Sequence, residues 1–252
     1  MTIGPGKTKS FTVTIKRTDA LANSYAGGQL LWSDGTHAVR VPMVARPVLL
    51  AAPASVTGIG GPITYNVRFG YDGSFAATPR GLVPASTFAG DVSDDPTDSF
   101  QPLGPGTTSF AVSVPEGATY ARFSLFDADV APASDIDLYV YRGATLVGSS
   151  GSATSAEEVN LLNPTPGLYT VYVHGFGVPA GGAGFTLFHW LLPDADAGNL
   201  TVTAPTTASV GASGTISLTF DSALEPGRYL GSVVYAGTDG LPNPTIVRIN
   251  KP

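Results

Sequence analysis

The chain has 252 residues, 43% hydrophobic and 13% charged, with 31 glycines, 21 prolines, no cysteine and a net charge of −6. So apolar a composition excludes a disordered chain, and so many Gly and Pro residues exclude long helices. Thiol chemistry, disulfides and Cys-type zinc sites are excluded, and with no run of Lys or Arg nothing favours nucleic acid or an anionic membrane as a partner.

The first ten residues, MTIGPGKTKS, hold no apolar signal core, and no apolar run approaches the length of a membrane span. An exported form would carry its signal in a longer precursor. Phe11, Val13 and Ile15 then alternate with Thr12, Thr14 and Lys16, the pattern of a half-buried strand. The next segment, LLWSDGTHAVRVP at 30–42, brings a serine, an aspartate and a histidine close together. A catalytic triad needs those side chains to converge on one reacting atom. Asp34-Gly35 instead signals a two-residue hairpin turn. Folded there, the chain sets Ser33 opposite Thr36, Trp32 opposite His37, Leu31 opposite Ala38 and Leu30 opposite Val39. Asp34 then sits at the tip, away from the Trp32/His37 face, and the segment reads as a packed hairpin.

Short alternating runs continue to the C-terminus, among them ITYNVRF, SFAVSV, YARFSLF, DIDLYVY, GFTLFHW, GTISLTF and TIVRI, separated by Gly, Pro, Asn and Asp. Strands at this spacing predict an all-β chain of tandem β-sandwich units, immunoglobulin-like or jelly-roll-like, with no substantial helix. Segments 48–62 and 193–199 read as linkers, which leaves units at 1–47, 63–192 and 200–252. The outer two resemble each other: SFTVTI, GQLLW and AVRV recur as TISLTF, GSVVY and IVRI. Three strands at 1–47 can hardly stand alone. Either further strands precede them in a parent protein, or they join the C-terminal copy in one seven-strand sandwich with the central unit inserted.

The central unit carries the candidate sites. In FDADVAPASDIDL, Asp127, Asp129, Asp135 and Asp137 return to one end of a sheet if the flanking strands pair, and calcium is the ion such oxygen donors would hold. The alternative is that Asp127 and Asp135 accept turn N–H bonds and the others are solvated. A second acidic loop, with Asp91, Asp94, Asp95 and Asp98, reads as a solvated turn. Tyr139 and Tyr141 share one face of their strand, as do Tyr172 and His174 of theirs. If those strands are neighbours, the four form a flat exposed surface for a protein or sugar chain.

The segment FTVTI…GGQLLWSDGTHAVRVPM resembles the last strands of the fibronectin type III-like domain that follows the catalytic domain in many subtilisin-like serine proteases. The pattern is met at Trp32, Asp34, Gly35, His37, Val39, Arg40 and Pro42. Only the second half of that domain is represented. ARFSLFDADV, SDIDLYVYRGATLVGSS, SAEEVNLLNPTPGLYTVYVHGF and GFTLFHW resemble a bacterial pre-peptidase C-terminal domain, a small β-sandwich at the ends of secreted proteases. These resemblances imply an extracellular, non-catalytic accessory region of a longer precursor. Its first partner would be an upstream subtilisin-like catalytic domain. Its task would be substrate or surface binding, stability or maturation. The alternative is a free-standing secreted module that binds collagen-like or polysaccharide polymers. No catalytic residue is expected, because the family's Gly-Thr-Ser-Met-Ala segment is absent. His174, in VHGFGV, lacks the motif that accompanies a catalytic histidine.

Overall fold

The computed structural model describes residues 1–252 as twenty-one strands and a single 3-10 turn. This is the all-β architecture that the alternation implies. β1 (Ala26–Ser33) and β2 (Ala38–Ala45) form a hairpin that pairs with no other strand. Residues 10–16 make no strand, although the Phe11 ring packs edge-on against Trp32 at 4.7 Å.

The hairpin closes one residue later than Asp34-Gly35 suggests. Trp32 lies opposite Val39 and Ser33 opposite Ala38, so the expected Trp32/His37 pair is not made. The cause is the Asp34 side chain. Its carboxylate accepts the N–H groups of Thr36 at 2.9 Å and His37 at 2.6 Å, and contacts His37 Nδ1 at 3.0 Å. An aspartate that bonds ahead along its own backbone takes over the turn. Gly35 then supplies the positive φ, +94°.

The chain next builds half of a sandwich: β3 (Leu50–Ala51), β4 (Ser55–Gly58), β5 (Ile63–Phe69), β6 (Gly73–Ser74) and β7 (Ala76–Pro84). Pro84 and Ala85 lead into a complete second sandwich. One of its sheets holds β8 (Ser86–Val92), β10 (Ala118–Ser124), β11 (Val130–Ala131), β14 (Glu158–Leu162) and β16 (Ala183–Pro193). The other holds β9 (Thr107–Val114), β12 (Asp135–Arg142), β13 (Thr145–Ser150) and β15 (Gly167–Gly177). Between them lie Phe123, Leu125, Ile136, Leu138, Val140, Val171, Val173 and Leu187.

The last five strands complete the first sandwich: β17 (Leu200–Thr203), β18 (Thr207–Ala208), β19 (Ser213–Phe220), β20 (Gly227–Ala236) and β21 (Thr245–Lys251). β19 pairs β5, β20 pairs β7, and β21 pairs β4 in parallel. Tyr65, Val67, Phe69, Ile216, Leu218, Val233, Val247 and Ile249 form this core. Each such aliphatic side chain, fully buried, contributes about 1.5–3 kcal/mol.

Two expectations about organisation therefore change. Residues 63–84 do not belong with the central strands, and the apparent linker 48–62 contains β3 and β4. The C-terminal strands find their partners in 50–84 and not in 1–47. The physical reason is in the faces. Tyr65, Val67 and Phe69 offer an uninterrupted apolar row to Ile216 and Leu218, whereas Leu31, Val39, Val41 and Val44 of the hairpin stay exposed.

The outer face of the central sheet seals the two sandwiches together. In β10, Ala121 and Phe123 point into the core, so Tyr120, Arg122 and Ser124 point out. Trp190 and Leu192 pack against Leu230 and Ile246. Arg228 lies over the rings of Phe126 at 4.0 Å and Phe188 at 4.3 Å, and its guanidinium pairs with Asp129 at 2.7 Å.

A two-stranded hairpin without cover is marginal in water. Amides of 26–45 are expected to exchange with solvent well before those of β12 and β15. Equal protection would mean that the hairpin is covered in solution. Leu218→Ala is expected to cost about 2–5 kcal/mol, read from the urea midpoint, while Val44→Ala stays within about 0.5 kcal/mol of the parent.

Candidate functional site

β12 and β15 run side by side in register, so Tyr139 lies opposite Tyr172 and Asp137 opposite His174. Strand period two then puts Tyr139, Tyr141, Tyr172 and His174 on one face, the face away from the core. That face is not open. The segment between β8 and β9 folds across it and lays Phe100 on Tyr139, ring centroids 3.7 Å apart and nearly parallel. Phe100 also meets Tyr172 and His174 at 5.6 Å and Tyr141 at 6.1 Å. Tyr172 is left 8% exposed and His174 1% exposed. The flat exposed platform expected from the alternation is thus a covered aromatic cluster.

The covering segment is tied down by Asp95. Its carboxylate accepts from Thr97 N–H at 2.9 Å and Thr97 Oγ1 at 2.8 Å, and its other oxygen meets His174 Nε2 at 2.9 Å. The Asp95 N–H donates to the Gly175 carbonyl, and the Gly175 N–H to Gly106. Gly106 adopts φ +61°, and a Cβ there would sit 2.7 Å from the Asp95 nitrogen, so only glycine permits this approach. Asp94 accepts the Val178 N–H at 2.7 Å. The second acidic loop, read as a solvated turn, is in part a clasp.

On its other side His174 faces Asp137, with Nδ1 3.6 Å from Oδ2. Tyr139 Oη donates to the same carboxylate at 3.3 Å. Hydrogen bonds from His174 and Thr97 hold Asp95 down at about 2. Burial pushes Asp137 up, against the pull of His174. Burial and the Asp137 charge push Tyr139 up to about 12. This arrangement positions groups and does not present them. An imidazole walled in by Phe100 and two carboxylates offers no approach to a substrate carbonyl.

The four aspartates expected as calcium ligands meet different partners. Asp127 is exposed in the 3-10 turn, and Asp129 turns away to Arg228. Asp135 leaves one oxygen buried without a partner, and burial with the Glu157 charge pushes its carboxyl up. Asp137 belongs to His174. No group of three or more His, Cys, Asp or Glu side chains is arranged to hold a metal ion. Spacing put four carboxylates in one short segment, but two of them, Asp129 and Asp137, face Arg228 and His174 from elsewhere in the fold.

Sequence reasoning missed the Asp95 contact with His174, and missed Phe100 and Glu157 altogether. Glu157, 2% exposed, accepts Ser152 N–H at 2.7 Å, Ser152 Oγ at 2.6 Å and the Ser150 hydroxyl. A lone Phe in the Gly/Pro-rich stretch DDPTDSFQPLGPG was the available signal for a covering loop.

The fibronectin type-III domain family matches residues 1–45. The chain is also 40% identical over 68 residues to pyrolysin of Pyrococcus furiosus, a match covering 27% of this chain and 5% of that protein. The chain thus spans a small fraction of that relative's length. No helix is long and apolar enough to cross a membrane.

The clasp sets an acid limb. A carboxylate depressed from 3.8 to about 2 contributes stability that is complete above 3.8 and lost as pH falls through about 2. Asp137, raised, works in the opposite sense, favouring the fold when protonated. Asp95→Asn is expected to lower the urea midpoint at pH 7 and to flatten its decline between pH 4 and 2, until variant and parent converge. An unchanged acid limb would remove Asp95 as the anchor.

Proposed function

We propose that the chain is a non-catalytic accessory region of a secreted subtilisin-like serine endopeptidase, serving substrate or surface binding, stability or maturation. The observation that carries the reading is the 68-residue similarity to pyrolysin, a subtilisin-like protease, together with a fibronectin type III-like segment at 1–45. On this reading the first partner is a catalytic domain in the same polypeptide, and the location is extracellular. The central sandwich acts as a pre-peptidase C-terminal-like module. The strand segments that resemble that family all fall within 118–193, in one pair of packed sheets.

The surroundings of the two carboxylate-paired histidines support a non-catalytic role. His37 and Asp34 stand exposed at a hairpin tip, 80% and 65% open at the side chain. The neighbouring Ser33 hydroxyl accepts the Gly35 N–H as part of the turn. His174 is enclosed. Neither has a serine hydroxyl as a hydrogen-bonding partner.

The purified chain is expected to leave casein intact and to take no label from an active-site serine reagent, while the coding sequence upstream of residue 1 carries a subtilisin-like catalytic domain in frame. A labelled serine accompanied by turnover would overturn the non-catalytic reading. A signal peptide placed directly before residue 1 would overturn the accessory one.

A further inference from the structure

The seam between the two sandwiches contains a small cleft of about 90 Å³ that opens to solvent. Its walls come from both sides: Arg122, Ser124 and Trp190 from the central sheet, Leu230 and Arg248 from the split sandwich, with Glu158 between the arginines. The two arginines against one glutamate leave one uncompensated positive charge.

The polar groups do not close on themselves. Glu158 has both oxygens occupied. Oε1 takes Arg122 Nη2 at 3.3 Å and Asn160 Nδ2 at 2.8 Å, and Oε2 takes Arg248 Nη2. Arg122 spends its Nε on Asn160 Oδ1 at 2.7 Å. Two buried groups are left over, Arg248 Nε and the hydroxyl of Ser124, a residue 1% exposed. Buried polar atoms without partners are rare and destabilising unless a bound group satisfies them. Burial pushes the Arg122 guanidinium down, and the charge of Arg248 adds to that, a repulsion that a bound anion would relieve.

We propose that this cleft is a binding site for a carboxylate, whose oxygens accept from Arg248 Nε and the Ser124 hydroxyl while its carbon end lies against Trp190 and Leu230. The charge and the geometry select the class. One surplus positive charge matches a monoanion, and two separate donors, a guanidinium Nε and a hydroxyl, match the two oxygens of one carboxylate. A phosphate dianion would exceed the available charge. The apolar wall favours an anion with a hydrocarbon end over a simple halide. Such a carboxylate can come from a free small acid or from the C-terminus of a peptide.

Trp190 is one of two tryptophans, and Trp32 lies in the hairpin, so the indole N–H resonances give a probe and an internal control. The labelled full-length chain is titrated with sodium acetate, with an acetylated tripeptide acid and its amide, and with inorganic phosphate, each against sodium chloride of equal ionic strength. A saturable shift of Trp190 but not Trp32, with acetate or with the tripeptide acid, is expected. Tighter binding of the tripeptide acid assigns the source as a chain terminus; equal or tighter binding of acetate assigns a free acid. Ser124→Ala removes an unpaired buried hydroxyl and should keep the melting temperature, yet weaken binding about fivefold, as the loss of one hydrogen bond does. Arg248→Gln should abolish it. No shift at Trp190, a shift reproduced by chloride or by the amide, phosphate binding tighter than either carboxylate, or affinity unchanged in Ser124→Ala would each overturn the assignment.

Discussion

The structure depends on one non-local constraint: a sandwich whose two halves lie at either end of a long insertion. β5 and β7 have their apolar rows in place early in the chain, but β19, β20 and β21 arrive only after the whole central sandwich. Bringing such distant strands together carries a loop-closure entropy. An insert that folds with its ends adjacent removes most of it. The antiparallel pairing of β8 with β16 supplies that adjacency, with Ser86 opposite His189.

The return strand is then stitched to the outgoing one. The Asn199 side chain donates to the Leu82 carbonyl and accepts the Leu82 N–H, both at 2.9 Å. Gly81 N–H donates to Ala195, Ala197 N–H donates back to Gly81, and Arg80 pairs with Asp194. The Ala85 N–H donates to Arg228 at the crossing point. These bonds tie the outgoing and returning strands together along the seam. Arg228, flat against two phenylalanine rings, fills the same seam with a group that stays charged while its stem and face are buried. A cleft with defined walls exists only because both sandwiches are held this way.

The central sandwich hides its polar chemistry in a similar manner. Its outward aromatic face is closed by a loop that could not fold alone, since DDPTDSFQPLGPG offers only Phe100 and Leu103 as large apolar side chains, and Leu103 stays exposed. Asp95 reaches through to His174, and Phe100 stacks on Tyr139. Each makes the other's position favourable: the ring excludes water from the Asp95–His174 contact, and that contact holds the ring in place. An aromatic cluster of this kind can meet a partner only if the loop moves.

Alternation along the chain was enough to establish an all-β protein, which side chains share a face within β12 and within β15, and a tight turn near Gly35, because strand period, side-chain face and turn chemistry are local properties. The residues that resemble a fibronectin type III-like segment were likewise legible as a pattern in sequence order. Partner choice was not. Whether 63–84 paired forward into the central strands or across to 213–251 depended on which distant row its faces met, and spacing carries no such information. The same limit applies to the sites. Of four aspartates close in sequence, two face Arg228 and His174, and an aromatic row that alternation left facing outward was covered by Phe100 from another segment. Charges and rings find partners through space, so only the tertiary structure decided which groups meet, which are shut away, and which of them are left unpaired at the seam.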